Sequence, residues 1–322
     1  MKFLINENDS EKRLDIFLSG KIKDLTRSNV KKIIESKNVK INQKIISSPS
    51  KKVKKNDNIL VKLLFDDRTE LLPSKIKLDV HFEDKDIIII NKPKGMVVHP
   101  GAGNHKNTLA NALRYKYKNN LSNLNGLLRP GIVHRIDKET SGLLVVAKNN
   151  ISHARLGKQF SEHTIKRNYI CLVWGVIRPL KGRIETLISR NKKNRQLMTV
   201  SDVNGKKAIT NYKTIKVFNI KNIPKLSLIE CELETGRTHQ IRVHMKYKGA
   251  SLLGDNQYGK KNIKFKKINE DFSKILLSLT GQALHAKSLG FNHPSKGEWV
   301  NFDSNLPKDF KKLLDLLNNL NG

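Results

Sequence analysis

The chain has 322 residues, 38% hydrophobic and 28% charged, a size and balance suited to about two globular domains at roughly 150 residues each. Lys and Arg total 62 against 29 Asp and Glu, a formal charge of +33, which excludes a routine enzyme for small neutral substrates and calls for a polyanionic partner, nucleic acid first. Two cysteines, Cys171 and Cys231, exclude a disulfide scaffold and a four-cysteine zinc site; both stand in apolar alternating runs and read as buried free thiols.

From the N-terminus, Met1 to Glu7 turns polar at once and carries no apolar signal block, and no apolar run approaches the length of a bilayer span, so a cytoplasmic protein without a membrane partner is expected. Residues 11–64 read as a small α+β module. Leu14, Ile16, Phe17 and Leu18 fall on a short amphipathic helix. Thr26 or Ser28 can cap a second helix that turns Val30, Ile33 and Ile34 inward and leaves Arg27, Lys31 and Lys32 free to meet phosphates. Val39–Asn42 and Ile59–Leu63 read as strands. Residues 65–76 have linker composition.

Residues 77–320 form the second domain. Strands are expected at Leu78–Phe82, Ile87–Ile90, Gly142–Ala147, Tyr169–Val176, Thr210–Val217 and Leu226–Leu233, and helices at Ser152–Glu162 and Leu306–Leu317. Many strands with few long helices predict an α+β fold, its mixed, mainly antiparallel sheet flanked by peripheral helices. The lysine-rich stretch 260–267 reads as a solvated loop in reach of nucleic acid.

Two segments carry candidate chemistry. Arg129-Pro130-Gly131-Ile132-Val133-His134-Arg135-Ile136-Asp137-Lys138-Glu139-Thr140-Ser141-Gly142 packs an acid, bases and hydroxyls into a loop before a strand. Asp137 is either a reactive carboxylate or a structural one satisfied by Thr140 or Ser141 in an Asx-type turn. Leu233 to His244 reads as a strand, a Gly turn and a run of planar donors, among which Arg237 and Arg242 can pair with carboxylate or phosphate. His239 and His244 are five apart, not the four of a helical zinc pair, so structural or RNA-contacting histidines are expected and no metal. Gly101-Ala102-Gly103 lacks the last glycine of a dinucleotide fingerprint, and no cofactor is expected.

His134-Arg135-Ile136-Asp137-Lys138-Glu139-Thr140-Ser141-Gly142 resembles the signature of the large-subunit ribosomal RNA pseudouridine synthases, the group that comprises the A, C and D types. Asn91–Pro100, Lys166–Tyr169, Thr235–His244, Gly254–Gly259 and Ala283–Ala286 match further motifs of that family in its order. Residues 11–64 resemble the S4-like RNA-binding domain through Arg13-Leu14-Asp15, Thr26-Arg27-Ser28, Val39–Asn42 and the Lys55-Asn56-Asp57 turn. Val98–Asn104 and Arg129–His134 are most similar to the D type. Ile136, Glu139 and Asn256 depart from the usual Leu, Asp and Pro.

The resemblance implies isomerisation of uridine to pseudouridine in large-subunit ribosomal RNA, in the helix 69 stem-loop for the D type, on free RNA or a pre-assembled ribosomal particle, by a monomer that flips its target base. It implies Asp137 as the essential carboxylate, Arg242 as its bidentate partner, Tyr169 stacked on the flipped base, and Arg135 entering the space the base leaves. Ile241 and Leu284 would wall the pocket. The remaining RNA contacts are expected from Arg27, Lys31, Lys32, His134 and Arg237. Two alternatives stand beside this reading: A- or C-type specificity for other ribosomal or transfer RNA uridines, and a non-catalytic RNA-binding protein in ribosome assembly.

Overall fold

The computed structural model describes residues 1–22, 27–62, 71–101, 103–259 and 269–321, with the side chains of Ser28, Asn29 and Lys32 excepted. Thr26, residues 65–70 of the expected linker and the lysine-rich stretch 260–267 lie outside the described residues. The chain divides into two compact units, Met1–Glu70 and Leu71–Gly322.

The first unit runs β1 (Lys2–Leu4), α1 (Leu14–Lys21), α2 (Arg27–Glu35), β2 (Val39–Ile41), β3 (Lys44–Ile46) and β4 (Asn58–Val61), with sheet order β1-β4-β2-β3 and every pair antiparallel. Leu14, Phe17 and Leu18 of α1 and Val30 and Ile34 of α2 share one core with Val39, Ile41, Ile59 and Val61. Ile16, expected on the apolar face, points outward at 45% exposure. The unit also starts earlier than residue 11: Lys2–Leu4 pairs with β4, and three residues are too few to show strand alternation.

The second unit runs β5 (Val80–Glu83), β6 (Ile87–Lys92), α3 (Leu109–Tyr117), β7 (Ser141–Ala147), α4 (Asn150–Ser161), β8 (Lys166–Trp174), β9 (Lys181–Arg190), β10 (Met198–Ser201), β11 (Lys206–Phe218), β12 (Leu226–Leu233), α5 (Gln240–Tyr247), α6 (Glu270–Ser278), β13 (Leu284–Asn292), β14 (Trp299–Asp303) and α7 (Lys308–Leu320). Its ten-stranded sheet has the order β10-β9-β11-β12-β8-β13-β7-β6-β5, with β14 on β13. Among the described residues only β13 and β7 pair in parallel, His285 opposite Ser141 and Ala286 opposite Gly142, so the expected mixed, mainly antiparallel α+β sheet is what forms.

Alternation along the central strands builds a core on each face. Tyr169, Cys171 and Val173 of β8 pack with Leu113 of α3 and Ile241 and Met245 of α5. Ile170, Leu172 and Trp174 pack with Phe272 and Leu276 of α6 and Phe310, Leu313 and Leu317 of α7. β6 and β7 are apolar on both faces, with Ile87, Ile89, Leu143 and Val145 against Leu156 of α4 and Ile88, Ile90, Leu144 and Val146 on the other side. Cys171 and Cys231 are buried free thiols with Sγ atoms 4.0 Å apart. Among the described residues no helix is long and apolar enough to cross a membrane.

Candidate active site

Asp137 sits in a loop pinned from several sides. At one end His134 Nε2 accepts the Val145 N–H at 3.0 Å; at the other, Ser141 Oγ lies 2.9 Å from His285 Nδ1. Gln282 Nε2 donates to Thr140 Oγ1 at 3.0 Å. Gly142 has φ +116°, and a Cβ there would lie 2.3 Å from the Ala286 carbonyl oxygen; only glycine lets β13 come this close to the strand that follows the loop. Beneath the loop Lys92 is fully buried, its ammonium donating to the carbonyls of Pro93 at 2.7 Å, Met96 at 2.9 Å and Lys138 at 3.0 Å. Burial pulls the Lys92 pKa down to about 7, against the attraction of Glu139 and Asp137.

The Asx-type alternative for Asp137 does not form. Thr140 reaches it only by a backbone bond, N–H to the Asp137 carbonyl, and Thr140 and Ser141 side chains are engaged elsewhere. The carboxylate instead meets Arg242 Nη1 through Oδ2 at 3.2 Å and faces a cavity of about 540 Å³ whose lining includes His99, Arg135, Ile136, His239, Arg242 and Gln257.

The bidentate pairing expected between Arg242 and Asp137 is not made. The fork of Arg242 closes on Asp255, Nε to Oδ2 at 2.7 Å and Nη2 to Oδ1 at 2.9 Å, and Nη2 also donates to Gln257 Oε1 at 2.8 Å. The reason is geometric: Asp255 follows Gly254, at a turn with φ +70°, and meets the Nε–Nη2 edge, while Asp137 arrives from a separate loop and meets only the remaining nitrogen. Burial alone would raise the Asp255 carboxyl, but the Arg242 hydrogen bonds and charge hold it below its ordinary value. Burial likewise works against the Arg242 charge, which Asp255 and Asp137 reinforce.

The structure brings Tyr169 to the same place. It lies mid-sheet between Cys231 of β12 and Ala286 of β13, 7% exposed, in one apolar cluster with Ile136, Ile241 and Leu284. Burial raises its phenol pKa, Arg167 opposes and Asp137 adds to the rise, so the hydroxyl stays protonated near neutrality. Ile241 and Leu284, expected as pocket walls, belong with Tyr169 to that cluster behind the polar cavity; none of the three lines the cavity itself.

The expected RNA contacts separate into open and committed side chains. Arg135 is exposed at the cavity, with Nη1 3.3 Å from His99 Nε2. His134 is committed: it stacks on Phe160 with centroids 4.6 Å apart, accepts from Val145, and burial with the nearby Arg167 takes its pKa down to about 3. A histidine spent on the loop is not free for RNA. Arg237, a half-buried residue, donates from Nε to the Lys207 carbonyl at 2.8 Å. In the first unit Arg27 donates to Asp15 through Nε at 3.0 Å and Nη2 at 2.9 Å beside Arg13, while Lys31 lies 3.7 Å from Glu35. The Lys32 side chain lies outside the described residues.

His244 is a structural histidine, set between Thr186 and Thr210 at 3.0 and 2.9 Å, its pKa lowered to about 4 by burial. Asp84, Asp86 and His293 gather within 4.8 Å, but their atoms are engaged: His293 Nε2 with Asp84 at 2.8 Å, and Asp86 Oδ1 with Asn149 and Ser152. Lys92, Asp255, His99 and Gln257 were not singled out by sequence; Asp255 and Gln257 stand in the Gly254–Gly259 motif, where an acid and an amide after a Gly turn were the available signal.

The family model for RNA pseudouridylate synthases matches residues 86–247, and the S4 domain model matches residues 12–59. A ribosomal large subunit pseudouridine synthase D of Zymomonas mobilis is 46% identical, over 95% of this chain and 93% of that protein. An uncharacterized RNA pseudouridine synthase of Bacillus subtilis is 41% identical over 97% and 96%. The solved structure of human RNA pseudouridylate synthase domain containing 1 shares the fold, with a TM-score of 0.56 and 22% identity over 76% of this chain and 96% of that one. The chain belongs to the RNA pseudouridylate synthase family and carries an S4 RNA-binding domain ahead of its synthase domain.

Proposed function

We propose that this enzyme isomerises uridines of large-subunit ribosomal RNA, in the helix 69 stem-loop, with Asp137 as the essential carboxylate, and that it works as a cytoplasmic monomer without a cofactor. The observation that carries the reading is the Asp137 carboxylate, held on one oxygen by a buried arginine and open on the other to a cavity about 540 Å³ in volume. That volume suits one flipped nucleoside better than a stacked helix.

The reaction breaks the N1–C1′ bond, turns the base, joins C5 to C1′, releases the C5 proton and returns a proton to N1. Atoms balance with no redox step, so a cofactor has nothing to supply. Asp137 acts as nucleophile or as the base for the C2′ proton, and both roles need it ionised, the state Arg242 favours. Tyr169 offers its ring to the base from the apolar side. Arg135 enters the stack the base leaves, a role its exposure at the cavity supports. Large-subunit RNA is favoured by the D-type name of the Zymomonas relative, and an RNA partner of any kind by the chain's +33 charge.

The test is pseudouridine mapping of large-subunit RNA from a deletion strain restored with wild type or Asp137→Ala. Loss confined to the helix 69 loop, rescued by wild type alone, is the expected result. Loss at other ribosomal or transfer RNA uridines moves the target; intact modification everywhere rejects the proposal.

A further inference from the structure

Arg242 occupies Oδ2 of Asp137; the other oxygen faces His239 Nε2 at 3.9 Å, across the same cavity. That distance is too long for a hydrogen bond and leaves the nitrogen free to meet a bound molecule. The opposite nitrogen, Nδ1, lies 2.8 Å from the Tyr258 hydroxyl. The Tyr258 oxygen accepts the Met198 N–H at 2.7 Å, and a backbone N–H only donates. Tyr258 is buried, and among the described residues bonded to its hydroxyl only His239 Nδ1 can accept, so the arrangement that satisfies the phenol hydrogen has Tyr258 donating to Nδ1. A neutral imidazole that accepts at Nδ1 carries its hydrogen at Nε2, the nitrogen on the cavity side. Burial keeps the ring on the neutral side, against the pull of Asp137.

The backbone supports the same purpose. His239 is held at φ 57°, ψ 20°, the left-handed region, at the N-cap of α5 with no capping bond from its side chain. Its ring packs edge-on against Tyr258 with centroids 5.6 Å apart as well as bonding to it, and the residue lines the cavity.

We propose that His239 is a catalytic hydrogen-bond donor, its neutral Nε2–H meeting a carbonyl oxygen of the flipped uracil, and that Tyr258 is the positioning residue that fixes its tautomer. The inference rests on Asp137 as the reacting carboxylate. Once N1 leaves C1′, the base holds the bonding pair and spreads it over its carbonyl oxygens. A fixed N–H aimed at one of them stabilises this charge more than it stabilises the intact nucleoside, and so speeds the step. No proton needs to change hands. A charged imidazolium would serve worse, because it would pair with Asp137 itself.

The experiment measures single-turnover rates and RNA affinity on in vitro transcribed large-subunit RNA for His239→Asn, His239→Gln, Tyr258→Phe and Asp137→Ala. Asn tolerates the left-handed backbone but is too short to present the donor. His239→Asn is expected to slow the chemical step about 100-fold with RNA affinity within about twofold of wild type, the scale of losing one such donor. His239→Gln, whose amide N–H reaches near the Nε2 position, is expected to recover at least about tenfold. Selective nitrogen-15 labelling of histidine reads the tautomer without any variant: the Nε2–H form in wild type, a mixture in Tyr258→Phe. Wild-type rates in His239→Asn beside an inactive Asp137→Ala overturn this inference alone, as does an Nδ1–H tautomer in wild type. Wild-type rates in Asp137→Ala overturn the reading beneath it.

Discussion

Asp255 grips Arg242 through Nε and Nη2 at 2.7 and 2.9 Å, and this leaves the arginine a single nitrogen for Asp137. One buried acid thus positions the cation, and the cation positions the other acid. Arg242 also lies over the Tyr258 ring at 4.8 Å, so its plane is fixed on a face as well as along an edge.

Arg242→Lys keeps the charge but loses the fork, and an ammonium cannot serve Asp255, Gln257 and Asp137 in those directions. Turnover is expected to fall about 100-fold or more with RNA affinity nearly unchanged, read by single-turnover kinetics. Asp255→Asn removes the clamp rather than the cation. It leaves a buried arginine short of charge and is expected to cost about 3–5 kcal/mol in urea denaturation, together with a comparable loss of rate.

Lys92 predicts a pH dependence. Its folded pKa is about 7 against 10.5 in the unfolded chain, so between these values the unfolded chain binds more protons and this group makes stability rise with pH. Below about pH 7 the cost of the buried charge is fully present in the folded state; it is relieved as pH rises through 7. Relative to Lys92→Met, wild type is expected to gain roughly 2 kcal/mol between pH 6.5 and 8.5, measured by denaturant unfolding at each pH. A neutral amine has two hydrogens for the carbonyls of Pro93, Met96 and Lys138, so the loop loosens as the fold gains.

Gly142→Ala tests how the loop is held. Its Cβ would fall 2.3 Å from the Ala286 carbonyl oxygen at a φ of +116°, a backbone clash that no side-chain shift relieves. The variant is expected to lose about 3 kcal/mol or more and to lose turnover with it, seen in thermal melts and rate together.

Much of this architecture is legible in the sequence, and the gaps have physical causes. β6 and β7 read directly as continuous apolar runs, and β8 and β12 as runs rich in β-branched and aromatic residues or alternating ones. β13 and β14 do not: His285 and Lys287 interrupt the apolar pattern of β13 because tertiary partners satisfy them, His285 by Ser141 and Ser304 and Lys287 by the Ser304 carbonyl. α5 is read only as a run of planar donors, not as a helix: Gln240 to Met245 are all buried, so no polar face marks a helical period. α3 left a usable sign in Thr108 and Asn111, whose side chains form a capping box. At the site, Asp137, Tyr169 and Arg242 were visible through motif resemblance, whereas Asp255 as the true partner of the Arg242 fork depends on the Gly254 turn and is visible only in three dimensions.

The basic first unit bears on RNA affinity. Arg27 is shared with Asp15, so Arg27→Ala is expected to loosen the fold there as well as RNA binding, while Lys31→Ala, whose ion pair among the described residues is the exposed one with Glu35 at 3.7 Å, should act on RNA alone. In filter binding across salt, Lys31→Ala is expected to make the log–log slope shallower by about 0.7 to 0.9, the share of one phosphate contact.

The most direct test of the central claim uses RNA labelled with tritium at uridine C5, since that hydrogen must leave when C5 joins C1′. Wild type should release tritium and form an equal amount of pseudouridine, while Asp137→Ala and Asp137→Asn, folded and bound to RNA, release none above background. Tritium release by Asp137→Asn at the wild-type rate would contradict the account.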